Sequence, residues 1–284
     1  MVNENWKKSL PISGIQEIKP VTGGDVNKAY QVLTAQDTYF LLVQPDHDKE
    51  FYAGEIAGLK MFQQADILSP EVLDSGEIDG DAYLLLEFID QGVGSQADLG
   101  RLVAKLHHYH NPNGQFGFSE SSSATLRYDN SWTSSWSELF VQRRLDRIAK
   151  AIMANNLWNQ REQEQYNKVR QKILLVLSQH DSKPSLVHGD LWGGNHLFTK
   201  SGQPVLIDPD AFFGDREFDL GVSLVFNAFD NDFYQAYQKE YPLEDGYELR
   251  LNFYKLYLLM VHLYKFGGIY AHGVNQTMRT ILEN

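Results

Sequence analysis

The sequence predicts an α+β fold of two unequal lobes, with a small antiparallel β-sheet and one main helix in the first and mainly helices in the larger second. Three observations predict it: strand patterns before residue 90, a flexible connector over residues 91–95, and helical periodicity across most of the remainder. We expect residues 1–89 to form the N-terminal lobe and residues 90–284 the C-terminal lobe.

The predicted N-terminal lobe is built from strand patterns around a single helix. A strand ending near Leu33 is followed across a short polar loop by a second strand over residues 38–44. Apolar residues at helical spacing predict a helix over residues 51–64, which Ser69-Pro70 terminates. Two further strands are expected at residues 72–73 and 83–89.

The predicted C-terminal lobe is helical on both sides of an irregular region. Helices are expected over residues 99–108, 136–155, 162–179, 249–265 and 276–282. Residues 111–135 are polar and are expected to form a long loop. Residues 184–223 are predicted to be loop and short strand, and they contain most of the unusual chemistry.

Composition excludes several classes of function. The 37 acidic residues outnumber the 25 Lys and Arg residues, for a net charge of −12, which argues against nucleic-acid or anionic-membrane partners. A phosphate ligand is still compatible with this acidic composition, because backbone N–H groups and a metal ion can hold it.

The absence of cysteine excludes disulfides, thiolate zinc sites and cysteine nucleophiles. No signal peptide or spanning segment is visible, and we expect a cytoplasmic protein.

The strongest chemical motif is the run His-Gly-Asp-Leu-Trp-Gly-Gly-Asn over residues 188–195. Asp190 is followed five positions later by Asn195, which is the spacing of the kinase catalytic loop. In that loop the Asp accepts the proton of the attacking hydroxyl, while the Asn binds Mg²⁺. For His188 itself, a role in holding the backbone is favoured over proton transfer.

An apolar strand pattern that ends at Asp208 supplies a second candidate metal ligand. Mg²⁺ needs few protein oxygens when phosphates and water complete its shell, so Asn195 and Asp208 would suffice. Asp219 follows shortly afterwards and is expected to cap a helix and tie back to the backbone of the catalytic loop.

Three weaker patterns have structural as well as functional interpretations. Gly23-Gly24 could cover phosphates or form an ordinary hairpin turn. Residues 86–89 could present backbone groups to an adenine ring or form a plain core strand. The histidines at 107, 108 and 110 could approach a metal, but this interpretation is disfavoured because only 107 and 110 lie on one helix face and no third ligand is evident.

Together these residues resemble the fructosamine kinase (ketosamine-3-kinase) family, relatives of aminoglycoside and choline kinases with a protein-kinase-like fold. The resemblance covers nearly the whole chain, and its most specific part is residues 188–195. The other matching segments are residues 23–30, 55–59, 84–88, 116–118, 208–209, 214–220 and 266–270.

The resemblance implies an ATP- and Mg²⁺-dependent kinase that phosphorylates a sugar hydroxyl of a small-molecule ketosamine or glycated amine, in deglycation repair. Asp190 would be the catalytic base, Asn195 and Asp208 the metal ligands, and Trp192 a substrate contact. The nucleotide would be held by a set of residues in the first lobe, namely Gly23, Gly24, Asn27, Lys28, Glu55, Glu87, Phe88 and Ile89.

Two segments depart from the family pattern. Kinases place a Lys on the strand before the helix Glu, where it pairs with that Glu and with nucleotide phosphates, but Leu42 stands there. Lys28 could replace that cation, or the chain could be a degenerate kinase. Residues 125–130 also differ from the Thr-Pro-Gln type of segment found in the family near the substrate, so the acceptor could differ.

Three alternatives to a ketosamine kinase therefore stay open. The first is a kinase for another amino sugar or an amino alcohol. The second is a degenerate kinase that acts as a nucleotide-binding or scaffolding module. A metal-dependent hydrolase built on His188, Asp190 and Asp208 is the least favoured. The sequence does not predict the oligomeric state.

Overall fold

The computed structural model describes residues 4–21, 28–120 and 128–284. Its first part contains one sheet and two α-helices. The elements in chain order are α1 (Glu4–Ser9), β1 (Ile15–Val21), β2 (Lys28–Thr34), β3 (Thr38–Gln44), α2 (Ala53–Gln64), β4 (Val72–Ile78) and β5 (Asp81–Glu87). A 3₁₀ turn, Lys49–Tyr52, leads into α2.

The five strands form one antiparallel sheet in the order β1-β2-β3-β5-β4. Successive side chains of a strand point to opposite faces, so the sheet has two apolar faces. Val43 packs on one face in a cluster with Trp6. Leu42 packs on the other in a cluster with Leu59 of α2. This second face is the one that α2 covers.

The second part consists mostly of helices, with short strands inserted among them. The elements are α3 (Gln96–His107), a π-helix (Glu138–Leu145) that runs into α4 (Asp146–Ala154), α5 (Gln160–Leu177), β6 (Ser185–Val187), β7 (His196–Phe198), β8 (Pro204–Leu206), β9 (Phe212–Gly214), α6 (Glu217–Ser223), α7 (Asn231–Glu240), α8 (Tyr247–Phe266) and α9 (Ala271–Glu283). Strands β6 and β9 pair, as do β7 and β8. No described helix is apolar and long enough to cross a bilayer.

The predicted α+β class is confirmed, and most predicted elements are present with shifted ends. Helix α1 and strand β1 were not predicted, and α6 lies in a region that was expected to be loop and short strand. Helix α7 was not predicted either. Its apolar residues are few, but Phe233 and Tyr237 are buried against α3. Gly100 of α3 permits this packing, because a Cβ atom there would lie 2.3 Å from the carbonyl oxygen of Phe233. Helix packing that depends on a single glycine does not produce the hydrophobic periodicity from which helices are predicted.

A buried ion pair joins α6 to α8. The Arg250 guanidinium donates two hydrogen bonds to the Glu217 carboxylate, at 2.8 and 2.7 Å. It also donates to the carbonyl oxygens of Glu244 and Asp245, which precede α8. Both charged side chains are almost completely buried, so each depends on the other for compensation.

We expect Arg250→Ala to lower the free energy of unfolding by about 3–5 kcal/mol, because it leaves the Glu217 carboxylate buried without its cation. Urea unfolding followed by circular dichroism measures the change. The double variant Arg250→Met with Glu217→Leu should recover much of the loss, since it removes both charges. Equal losses in the single and double variants would contradict this account.

Candidate active site

The segment over residues 188–195 connects β6 to β7, and a buried carboxylate fixes its start. The Asp219 carboxylate accepts hydrogen bonds from the backbone N–H groups of His188, at 2.6 Å, and Gly189, at 2.9 Å. Asp219 is fully buried in α6. The prediction that Asp219 ties back to this loop is confirmed. It does not cap the helix, which has no side-chain cap.

His107 is a third partner of Asp219. Its Nε2 lies 3.0 Å from Asp219 Oδ2, and its Nδ1 lies 2.9 Å from the Tyr237 hydroxyl. His108 instead stacks on Tyr241, with ring centroids 3.9 Å apart. The described histidines of this helix end therefore position other groups, and they do not converge on a metal.

The His188 ring holds two loops together. Its Nδ1 accepts the backbone N–H of Asp190 at 3.3 Å, so its Nε2 carries the proton and donates to the carbonyl oxygen of Ile207 at 3.0 Å. Burial lowers the pKa of His188 and keeps the ring neutral. The predicted role in holding the backbone is confirmed, and a metal-ligand role has no support in this geometry.

A glycine allows the two loops to touch. Gly189 has a φ of +84°, and a Cβ atom there would lie 1.9 Å from the carbonyl oxygen of Asp210. Any side chain at this position would separate the loop that contains Asp190 from the loop that contains Asp208. The glycine in the His-Gly-Asp motif thus brings the two loops into direct contact.

Asn195 and Asp208 meet because β7 and β8 pair as a hairpin. The backbone N–H of Ile207 donates to the Asn195 carbonyl oxygen at 3.1 Å, which places Asp208 beside Asn195. Asn195 Nδ2 donates to Asp190 Oδ2 at 3.0 Å and to the Asp190 carbonyl oxygen at 2.9 Å. Within the described ranges, nothing donates to Asn195 Oδ1, which leaves that oxygen free for a cation.

Three carboxylates crowd this point, namely Asp190, Asp208 and Asp210. Burial, followed by the charges of Asp208 and Asp210, raises the pKa of Asp190 to about 7, while Lys265 opposes the shift. Asp208 is solvent-exposed, yet the protein packed around it and the charge of Asp210 raise its pKa as well. Carboxylate and amide oxygens gathered in this way suit Mg²⁺.

The position of the missing lysine is apolar. Leu42 is 8% exposed and lies opposite Ala29 and Leu84 in the sheet. Glu55 of α2 is also 8% exposed, and no Lys, Arg or His among the described residues forms an ion pair with it. Burial and the charge of Asp208 raise the pKa of Glu55.

Lys28 does not replace the missing cation in this structure, contrary to the hypothesis from sequence. It is exposed and pairs with Val43, whereas the next residue, Ala29, pairs with Leu42. Neighbouring residues of a strand point to opposite faces, so Lys28 lies on the face away from Glu55. Gly23, Gly24 and Asn27 lie outside the described residues, as do residues 125–127 of the other divergent segment.

The predicted adenine-binding residues lie where β5 ends. Glu87 is exposed, and its backbone N–H donates to the Glu71 carbonyl oxygen at 2.9 Å. Phe88 and Ile89 follow the strand, and no described residue forms a hydrogen bond with their backbone groups. Free backbone groups at this point are compatible with an adenine contact.

Sequence reasoning missed a row of aromatic rings that begins at Trp192, which is 41% exposed. Trp192 contacts Phe226 edge to face, with ring centroids 6.4 Å apart, and Phe226 contacts His262 at 4.9 Å. His262 also contacts Phe266 and Tyr270. The feature of the sequence that could have indicated part of this row is the four-residue spacing of His262 and Phe266, which places both side chains on one face of a helix.

One other group of ligand-type atoms lies apart from this site. Side chains of His180, Asp215 and Glu217 approach within 4.8 Å of one another. Each has a protein partner: Asp215 accepts from Ser182 and lies 3.0 Å from His180, and Glu217 pairs with Arg250. These satisfied contacts give the group a structural role.

We expect Asp219→Ala to lower the free energy of unfolding by about 3–5 kcal/mol, because two buried backbone donors and His107 lose a charged acceptor. Urea unfolding measures the loss. Asp98 is only half-buried, so Asp98→Ala is a suitable control and should cost about 1 kcal/mol or less. Similar losses in both variants would contradict the role assigned to Asp219.

Comparison with protein families gives a match along the chain. A family model described as fructosamine kinase matches residues 2–284. A relative from Staphylococcus aureus, named a probable ketoamine kinase, is 49% identical over 285 residues and covers 100% of this chain and 99% of its own. The chloroplastic protein-ribulosamine 3-kinase of Arabidopsis thaliana is 31% identical over 261 residues, which cover 90% of this chain and 79% of that protein.

Solved structures agree with this match. A Haemophilus somnus protein, provisionally named as a fructosamine-3-kinase, superposes with a TM-score of 0.83 at 25% identity, covering 94% of this chain and 92% of that one. An aminoglycoside phosphotransferase superposes with a TM-score of 0.67 at 16% identity, covering 95% of this chain and 94% of that one. This superposition shows the shared protein-kinase-like fold. By sequence and by fold, this chain belongs to the fructosamine kinase family of phosphotransferases.

Proposed function

We propose that this protein is an ATP- and Mg²⁺-dependent kinase that phosphorylates a sugar hydroxyl of a ketosamine. The observation that carries the proposal is the meeting of Asp190, Asn195 and Asp208 at the contact between two short loops. Family membership supports the substrate class, since relatives are named ketoamine kinase and protein-ribulosamine 3-kinase. Such a reaction would serve the repair of glycated amines.

We assign the proton transfer to Asp190. Its carboxylate would orient the acceptor hydroxyl and take its proton as the hydroxyl oxygen attacks the γ-phosphorus of ATP, with ADP leaving. The hydrogen bond from Asn195 Nδ2 fixes the orientation of the Asp190 carboxylate. We propose that Trp192, which is exposed two residues further along, contacts the acceptor sugar.

Asn195 and Asp208 would hold the metal through Asn195 Oδ1 and the Asp208 carboxylate. Bound Mg²⁺ neutralises charge on the phosphates. A relative in fold, an aminoglycoside phosphotransferase, has been crystallised with AMP-PNP and hygromycin B. We propose that residues 1–89, including the predicted loop at Gly23, Gly24 and Asn27, cover the nucleotide, and that Glu87–Ile89 hold the adenine.

A nucleotide-binding module without catalysis is the second candidate, and Leu42 favours it. The loss of one charge-assisted phosphate contact costs about 1.5–3 kcal/mol, which corresponds to about one to two decades in rate or affinity. That loss weakens a kinase without abolishing it. The retention of Asp190, Asn195 and Asp208 in one arrangement favours the active enzyme.

ADP release over a panel of ketosamines, amino sugars and amino alcohols tests the proposal. Wild type should be active on ketosamines, and Asp190→Ala should lose about 10²–10⁴-fold in kcat while still binding ATP and Mg²⁺ in calorimetry. If wild type and variant are equally inert across the panel and both bind nucleotide, the binding module is the correct function.

The pH dependence of kcat/KM tests the assignment of the base. A carboxyl group with a raised pKa stays protonated to higher pH, so kcat/KM should fall about tenfold per pH unit well below pH 7. Asp210→Asn removes a like charge and should move this acidic limb of the kcat/KM profile to lower pH. Lys265→Met removes the opposing cation and should move it to higher pH. A limb that neither variant moves would contradict the assignment.

A further inference from the structure

The aromatic row beside the catalytic loop extends well beyond the ring that the proposed function uses. Its members are Trp192, Phe226, His262, Phe266 and Tyr270. Phe226 is 39% exposed and Phe266 is 51% exposed. Exposed rings that contact one another form an apolar surface, and such surfaces mark binding sites. Because the row begins two residues after Asp190, this surface adjoins the proposed acceptor site.

A lysine without an ion pair lies next to this row. Lys265 is exposed, and no carboxylate in the part of the chain that the structure describes forms an ion pair with it. It follows His262 by three residues, so the two side chains are neighbours on the surface of α8. The charge of Lys265 also opposes the rise in the pKa of Asp190, in agreement with this position. The row therefore has a cation at its side.

Resting on the proposed function, we propose that the acceptor is the ketosamine of a free α-amino acid, with its carboxylate on Lys265 and its apolar side chain on the aromatic row. In such a molecule one nitrogen carries the sugar, and the neighbouring carbon carries both the carboxylate and the side chain. When a sugar hydroxyl lies at Asp190, the other two groups are only a few bonds away. Three chemical groups of one small acceptor thus match three features of the site.

The charges of the site fit this acceptor. The nitrogen of a ketosamine is a secondary amine that is protonated at neutral pH, and the faces of aromatic rings attract cations. A carboxylate entering the site meets the like charges of Asp190, Asp208 and Asp210, so it needs a cation to hold it. Lys265 supplies that cation, and the rings remove an apolar side chain from water. A ketosamine without a carboxylate beside its nitrogen would leave Lys265 without a partner.

Rates of ADP release with two acceptors that differ only in the carboxylate test the role of Lys265. They are the ketosamines of phenylalanine and of 2-phenylethylamine, made with the sugar that wild type accepts best. Wild type should use the phenylalanine compound with a kcat/KM at least about tenfold higher, because a charge-assisted contact is lost in the other. Lys265→Met should bring this ratio close to one, and Lys265→Arg should keep a preference. The exposed Lys239→Met on α7 is the matched control and should keep the wild-type ratio.

A second pair of acceptors tests the aromatic row. Wild type should use the ketosamine of phenylalanine with a kcat/KM about two- to tenfold higher than the ketosamine of glycine, because only the former has a ring to pack on the row. Phe266→Ala should reduce this preference, since it removes an exposed ring from the row. Both compounds keep the carboxylate, so this ratio is independent of Lys265.

The outcomes separate this acceptor from the kinase function on which it rests. Equal use of the phenylalanine and phenylethylamine compounds by wild type would overturn the acceptor and leave the kinase intact. Equal losses on both compounds in Lys265→Met would also overturn it, because the lysine would then act on Asp190 or on phosphate. A wild type that binds ATP and Mg²⁺ but is inert on every ketosamine would overturn the proposed function, and this acceptor with it.

Discussion

The geometry of this site depends on the carboxylate of Asp219. It accepts hydrogen bonds from the backbone of His188 and Gly189 and lies beside the His107 ring, so it joins the catalytic loop to α3 and α6. Charge-assisted hydrogen bonds of this kind are about twice as strong as neutral ones, and low local polarity strengthens them. These contacts fix the position of the backbone at His188 and Gly189, and Asp190 follows directly. We propose Asp190 as the base, and a base that is held in place would avoid part of the cost of orientation during the reaction.

The second constraint is electrostatic. Asp190, Asp208 and Asp210 share a small volume with Glu55 nearby, and the described residues bring only the Lys265 charge to bear on Asp190. Such repulsion costs stability in the free protein, and the proposed Mg²⁺, bound with the nucleotide, would relieve it. In the proposed function the site therefore binds positive charge together with phosphate, which is how a chain with a net charge of −12 would accommodate a polyphosphate.

Much of this arrangement was predictable because local motifs carry it. The spacing of Asp190 and Asn195, the strand before Asp208 and the two-lobed layout follow from short segments of sequence. Helix α7 and the contact of Gly58 with Pro209 did not follow, because both depend on close approaches between distant segments. The aromatic row from Trp192 through Phe226 to His262 was missed for the same reason. The failure of Lys28 as a replacement cation was a matter of strand register, since one residue along a strand reverses the face.

At Leu42, the family's lysine is replaced by an apolar residue, whereas the Glu55 carboxylate that would pair with that lysine is retained. A lysine there would satisfy Glu55 permanently, whether or not nucleotide were present. With leucine, no described residue forms an ion pair with Glu55, and its carboxylate is left without a cation in the free protein. The cost is a free protein that keeps an uncompensated carboxylate buried. That cost is tolerable because the apolar cluster around Leu42 gains packing that a lysine would lose.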